Sequence, residues 1–233
     1  MHLKFIKDIL FPVFCVECSA EGAFWCESCR AKRRHYLVAR CPGCGKSNAG
    51  ELCNHCCGFS YLDYSFAFLE YREKDPVAKL ISDYKYNFAQ DIAEVWQEII
   101  GSTIKGLPLP DSAAVVPVPL FARRERERGF NQAEIIAEII CMQIKKYFPE
   151  RKYCLNDRLL FRERPTAQQA KLSKTERETN VRDAFVLKSG STDETVMLVD
   201  DVYTTGATLN ECARVLKTAG AKTIYAVTLA RAI

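Results

Sequence analysis

Four Cys-x-x-Cys pairs share one short stretch of this chain: Cys15/Cys18, Cys26/Cys29, Cys41/Cys44 and Cys53/Cys56. Two thiolates separated by two residues can grip one tetrahedral ion from a tight knuckle, and two knuckles complete a four-cysteine shell. The stretch therefore predicts two Zn2+ ions. A closed shell of four thiolates has no open position, so their role is structural. They staple a segment with few aliphatic runs. In CPGCG (41–45) a proline and glycines let the backbone fold around a metal. Sequential pairing gives 15/18/26/29 and 41/44/53/56. Crossed pairing satisfies the same spacing, and Cys57 or His55 competes with Cys56.

Disulfides are the rival reading, and they need an oxidising compartment. The opening MHLKFIKDILFPVFC argues against export: Lys4, Lys7 and Asp8 interrupt its apolar residues, and no small-residue cleavage site follows. Phe14 stands where a lipoprotein anchor at Cys15 needs a small residue. Leu3, Ile6, Leu10 and Phe14 instead have helical spacing. No run approaches the roughly 18 apolar residues of a membrane span. The expected location is cytoplasmic.

Of 233 residues, 48% are hydrophobic and 27% charged, which excludes a disordered chain. A net charge of +4 does not by itself point to nucleic acid. Residues 1–60 read as a Cys-rich module and 61–233 as an α/β domain. Within the latter, Tyr64 to Tyr71 is strand-like and AAVVPV (113–118) reads as a buried strand. Asn131 to Phe148 reads as a helix, with Asn131 as N-cap and Glu134 completing a capping box. VMLVD (196–200) has the continuous apolar run of a strand covered on both faces, a helical stripe ends at Gly220, and TIYAVTL (223–229) is a further strand. Alternating strands and helices predict a parallel sheet.

The sharpest chemical signal is VMLVDDVYTTGAT (196–208). An apolar strand ends in Asp200 and Asp201, and a short turn leads into a helix at Ala207. Such a turn offers backbone N–H groups, the hydroxyls of Thr204, Thr205 and Thr208, and the positive end of a helix dipole to a phosphomonoester. Gly206 permits close backbone approach. The two carboxylates suit the hydroxyls of a vicinal diol beside it. A sugar such as ribose 5-phosphate satisfies both halves. The rival is an acidic, Thr-capped turn with no ligand. P-loop and dinucleotide motifs are absent.

This segment resembles the signature of type I phosphoribosyltransferases, which bind phosphoribosyl pyrophosphate (PRPP). With FPVFCVEC (11–18), CPGCG, VPVPL (116–120), RERGFNQAEIIA (126–137) and RPTAQQAKLSKTERETNVRDAF (164–185), the whole chain resembles the ComF (competence protein F) family. The resemblance implies a type I phosphoribosyltransferase-like parallel sheet flanked by helices, preceded by a double zinc ribbon. It implies PRPP bound with Mg2+ and a 5-phosphate on Thr204, Thr205, Gly206, Ala207 and Thr208. Asp200 and Asp201 take the catalytic place. Pyrophosphate lies at Val118 and Pro119, in a loop type that often has unusual peptide geometry. Arg124, Arg128 and, more weakly, Lys85 reach it. Gln168, Arg177 and Asn180 fall within a flexible hood. For the outer arginines of the 123–128 run, a solvated, self-paired face is the favoured reading.

The family is associated with DNA uptake, so other competence proteins and single-stranded DNA are candidate partners. Arg30, Lys32, Arg33, Arg34 and Arg40, interleaved with Trp25 and Tyr36, form the candidate DNA track. The chain ends at Ile233, just after its last expected strand, so no C-terminal base-recognition hood is expected. The accepting base is therefore not legible, and a PRPP sensor without catalysis is the alternative to a transferase.

Overall fold

The computed structural model describes residues 12–33, 37–86, 89–165, 179–188 and 192–233. In chain order these contain α1 (Glu27–Lys32), β1 (Val38–Ala39), β2 (Tyr64–Tyr71), α2 (Pro76–Tyr86), α3 (Ala89–Thr103), β3 (Ser112–Pro117), α4 (Ala122–Arg128) and α5 (Gln132–Tyr147). They continue with β4 (Lys152–Leu155), β5 (Leu160–Arg162), β6 (Phe185–Leu187), β7 (Thr195–Tyr203), α6 (Ala207–Thr218) and β8 (Thr223–Ala232). Of the opening stripe, Leu3, Ile6 and Leu10 lie outside the described residues, and Phe14 is not helical but exposed and bridged antiparallel to Glu21.

Six strands form one sheet in the order β1-β2-β8-β7-β3-β4. All neighbours are parallel except β1, which runs antiparallel to β2 with Val38 opposite Ala67. The Cys-rich segment thus supplies an edge strand. It also shares the core: Cys15, Phe24 and Trp25 pack in the same buried cluster as Leu80 and Trp96.

The continuous apolar run of β7 is explained by its cover. Met197 and Val199 face the cluster built with α2, α3 and α5, whereas Val196 and Leu198 face the one built with α6 and the β5–β6 ribbon. Burial on both faces removes the polar alternation of a half-exposed strand.

The crossover from β3 through α5 steps outward to β4, and that from β7 through α6 steps the other way to β8. Their helices consequently cover opposite faces, and a crevice opens beyond the carboxyl ends of β3 and β7. Pairing between these strands ends at Pro117 opposite Val199, so β7 runs on past its neighbour. Asp200 and Asp201 stand at that point.

The N-cap of α5 differs in detail from a capping box. Asn131 Oδ1 accepts the Ala133 N–H at 3.1 Å, but Glu134 Oε1 accepts from the Asn131 side-chain amide at 3.1 Å, not from its backbone. Asparagine offers an NH2 that serine and threonine lack. That same NH2 donates to the Val118 carbonyl at 3.2 Å and so fixes the end of the VPVP segment to α5. Contrary to the expectation of unusual peptide geometry at that segment, no cis peptide bond occurs among the described residues.

Candidate functional site

β7 ends at Tyr203, Thr204 to Gly206 make the turn, and α6 begins at Ala207. Gly206 has φ +77°, a left-handed conformation that other residues adopt at a cost. A Cβ there would lie 2.2 Å from the Tyr203 hydroxyl, so glycine is required by space as well. The first N–H groups of α6 lack intrahelical partners, as at any helix start. Ala207 N–H lies 3.4 Å from Thr205 Oγ1.

This turn borders a cleft of about 250 Å³ lined by Tyr71, Lys85, Asp200, Asp201, Thr204, Gly206, Ala207 and Thr208. A second cleft of about 420 Å³ shares Tyr71, Lys85, Asp200, Asp201 and Thr208 and adds Val118, Pro119, Arg124, Arg128 and Arg162. The two are contiguous. The turn lies at one end, the acidic pair in the middle, and the arginines at the other.

The charges in the cleft are balanced closely. Lys85 Nζ lies 2.6 Å from Asp201 Oδ2. Burial would lower the Lys85 pKa, but the carboxylates of Asp201 and Asp200 outweigh it and hold the ammonium above its ordinary value. Burial, reinforced by the charge of Asp201, pushes Asp200 up to about 8. Its Oδ1 also accepts the Asp201 N–H at 2.8 Å. Arg162 is shifted down, first by burial and then by Arg124. The site therefore favours a ligand with anionic ends that also relieves crowding between two carboxylates.

Within α4 the arginines divide by helix face. Arg124 and Arg128, one turn apart, line the cleft and are half-buried. Arg123 points to solvent and pairs with Glu127 at 2.8 Å, and Arg126 is exposed. Arg128 donates to Gln132 Oε1 at 2.9 Å, and Gln132 Nε2 reaches the Lys85 carbonyl at 3.4 Å. Gln132, itself buried, thereby couples two cationic residues of the cleft.

The cysteines form two clusters in sequential pairing, 15/18/26/29 and 41/44/53/56, each with its four sulfurs within 4.8 Å of one another. Cys57 and His55 belong to neither. Zinc–sulfur bonds of about 2.3 Å imply tetrahedron edges of about 3.8 Å. The Cys18–Cys26 and Cys44–Cys53 sulfurs lie 3.6 and 3.9 Å apart, matching such an edge and far exceeding a disulfide bond. Backbone N–H groups of Cys26 and Cys53 approach the sulfurs of Cys15 and Cys41 at 3.5 and 3.4 Å, donors suited to thiolates. A Cβ on Gly43 would sit 2.8 Å from the Cys56 sulfur, so the second knuckle closes only with glycine there. The residues present fit two zinc ions.

The phosphoribosyl transferase domain family matches residues 130–233. Competence protein ComFC of Bacillus subtilis is 30% identical over 214 residues, covering 88% of this chain and 83% of that protein. This chain belongs to the ComF family. DNA utilization protein YhgH of Salmonella typhi is 30% identical over 226 residues, with 89% and 90% covered. Competence protein F of Haemophilus influenzae is 29% identical over 234 residues, with 90% and 97% covered. Among solved structures, adenine phosphoribosyltransferase from Leishmania tarentolae matches 72% of this chain and 91% of its own at 11% identity and a TM-score of 0.37.

Against the ComF expectations, the structure gathers Lys85, Val118, Pro119, Arg124, Arg128, Asp200, Asp201, Thr204, Gly206, Ala207 and Thr208 around the joined clefts. Thr205 turns to the far side, toward a cavity containing Pro42 and Tyr61. Asn180 is not among the cleft residues; its carbonyl accepts from Arg164 at 3.1 Å at the foot of the β5–β6 ribbon. Gln168 and Arg177 lie outside the described residues. Arg162 was missed by sequence reasoning. It is one cation among many in a polar stretch, and only the pairing of β5 with β6 brings it to the cleft, with its guanidinium 5.2 Å from the Phe185 ring.

Of the candidate DNA track, Lys32 is exposed, whereas Trp25, Arg30, Arg33 and Arg40 are engaged within the protein. Trp25 is 1% exposed and donates to Glu17 at 3.1 Å, so its ring is not a stacking platform. Arg30 pairs with Glu98, Arg33 with Asp75 at 2.8 Å, and Arg40 donates to Glu70 at 2.8 Å. These cations fasten the Cys-rich segment to α3, to Asp75 just before α2, and to β2. Arg34 and Tyr36 lie outside the described residues. No helix among the described residues is long and apolar enough to cross a membrane.

Proposed function

We propose that this ComF-family chain binds PRPP with Mg2+ and transfers its 5-phosphoribosyl group, in the service of DNA uptake or handling. The observation that carries this reading is the order of groups along one continuous cleft. A Thr/Gly turn at a helix start is followed by an acidic pair, and then by Arg124, Arg128 and Arg162. PRPP has the same order: phosphomonoester, diol, pyrophosphate.

In this reading the turn from Thr204 to Thr208 holds the 5-phosphate, and Asp200 and Asp201 accept hydrogen bonds from the ribose hydroxyls. The C1–O bond breaks and pyrophosphate leaves with the electron pair. Arg124, Arg128 and Arg162 stabilise that charge, and the carboxylates favour the oxocarbenium character at C1. A base nitrogen then bonds to C1 and gives up its proton to solvent. When bound with the ligand, Mg2+ supplies further neutralisation of the leaving group. Lys85 moves from Asp201 toward the pyrophosphate as the ligand enters.

Isothermal titration with PRPP and Mg2+ tests the reading. Saturable binding that both ribose 5-phosphate and pyrophosphate displace is expected; no binding overturns it. Release of pyrophosphate across a panel of bases then separates a transferase from a sensor.

A further inference from the structure

The two cysteine clusters are not equivalent with respect to the cleft. The second reaches the turn directly: Tyr203, 2% exposed, donates its hydroxyl to the Pro42 carbonyl at 2.7 Å, inside the Cys41–Cys44 knuckle. The same hydroxyl is the atom nearest to a Cβ placed on Gly206. One phenol is thus wedged between a metal knuckle and the turn residue that starts α6. Its ring is fixed from the other side by Arg231, whose guanidinium lies 4.1 Å from the ring centroid. Arg231 donates to Ser65 at 2.9 Å, and Ser65 donates to the Arg40 carbonyl, one residue before the knuckle, at 2.7 Å. The first cluster instead packs beside Trp25, where Arg30 ties α1 to Glu98 of α3.

We propose that Tyr203 is a positioning residue that seats the Thr204–Thr208 turn on the second cysteine knuckle, so that metal at 41/44/53/56 sets how tightly the turn grips a phosphomonoester. The affinity consequence rests on the function proposed above; the mechanical coupling does not. A metal ion holds Cys41 and Cys44 in one geometry, and the Pro42 carbonyl lies between them. Loss of the ion frees that carbonyl, the phenol loses its acceptor, and Gly206 loses its support.

The test uses the full zinc-loaded chain and two readouts. Amide hydrogen exchange of residues 204–208 is measured without ligand, and PRPP affinity by titration. Tyr203→Phe keeps the ring and the metal content. It is expected to speed exchange in the turn and to weaken PRPP about five- to tenfold, the value of one buried hydrogen bond. Cys44→Ser is expected to do the same, and the double variant to be no worse than Cys44→Ser alone. Arg30→Ala, which loosens the first cluster's helix, leaves exchange in the turn unchanged. Wild-type exchange in Tyr203→Phe, or additive effects in the double variant, overturns the proposal. If the wild type binds no PRPP, the functional reading fails, while the exchange measurement still decides the coupling.

Discussion

Lys85 and Asp201 form an ion pair across the mouth of the crevice, 2.6 Å apart, with 26% and 14% of their side chains exposed. Asp200 stands beside them and keeps its proton up to about pH 8, so Lys85 balances the charged carboxylate of Asp201 at the end of β7. Removing one partner of a mostly buried pair leaves a charge uncompensated. Lys85→Met is therefore expected to cost about 1–3 kcal/mol in urea unfolding, with Lys85→Met/Asp201→Asn recovering most of it. It is also expected to weaken PRPP roughly tenfold.

Stability should depend on the protonation of Asp200. Its folded pKa of about 8 lies above the ordinary 3.8. Below 3.8 both states hold the proton and the contribution is full. Between about 4 and 8 the unfolded chain has released it while the folded one retains it, so stability falls as pH rises through this window. Asp200→Asn removes that slope. Urea midpoints at about pH 5, 6.5 and 8 are expected to decline less steeply in the variant than in the wild type.

Gly206→Ala combines a left-handed φ with a steric overlap at Tyr203. A loss of about 1–2 kcal/mol or more is expected, with PRPP affinity falling at least tenfold. Gly106→Ala is the contrast: it meets no atom within 4 Å and has no left-handed φ. Its stability should stay within about 0.5 kcal/mol of the wild type.

Elemental analysis should give about two zinc ions per chain. Chelation is expected to lower the melting temperature and to shift the fluorescence of Trp25 to the red, read in a Trp96→Phe background. Trp25 is 1% exposed in the core it shares with the later helices and is the neighbour of Cys26 in the first cluster, so losing that cluster's geometry withdraws it from this packing.

The sequence made the parts legible where local chemistry decides them. Cys-x-x-Cys spacing located both metal clusters, and the apolar run ending in Asp200–Asp201 located the central strand and its turn. What was not legible depended on packing between distant segments. Arg33 and Arg40 read as a basic stretch because Asp75 and Glu70, their partners, are remote in sequence. Trp25 read as an exposed ring because the core that buries it comes from later helices. Arg162 was hidden for the converse reason, since a three-residue strand gives no periodic signal until β6 pairs with it.

Arg162 lends itself to a comparison within one cleft. Arg162→Gln is expected to weaken PRPP about tenfold or more while leaving ribose 5-phosphate nearly unaffected, because the proposed function puts it at the pyrophosphate end. Arg123→Gln, on the solvent face of α4, should change neither.

The central claim is that one cleft reads both ends of PRPP, and a crystal structure of the chain with PRPP and Mg2+ tests it most directly. The expected result is a 5-phosphate on Thr204–Thr208, ribose hydroxyls on Asp200 and Asp201, and pyrophosphate beside Arg124, Arg128 and Arg162. A structure with PRPP bound elsewhere, or with the turn vacant at saturating ligand, contradicts it.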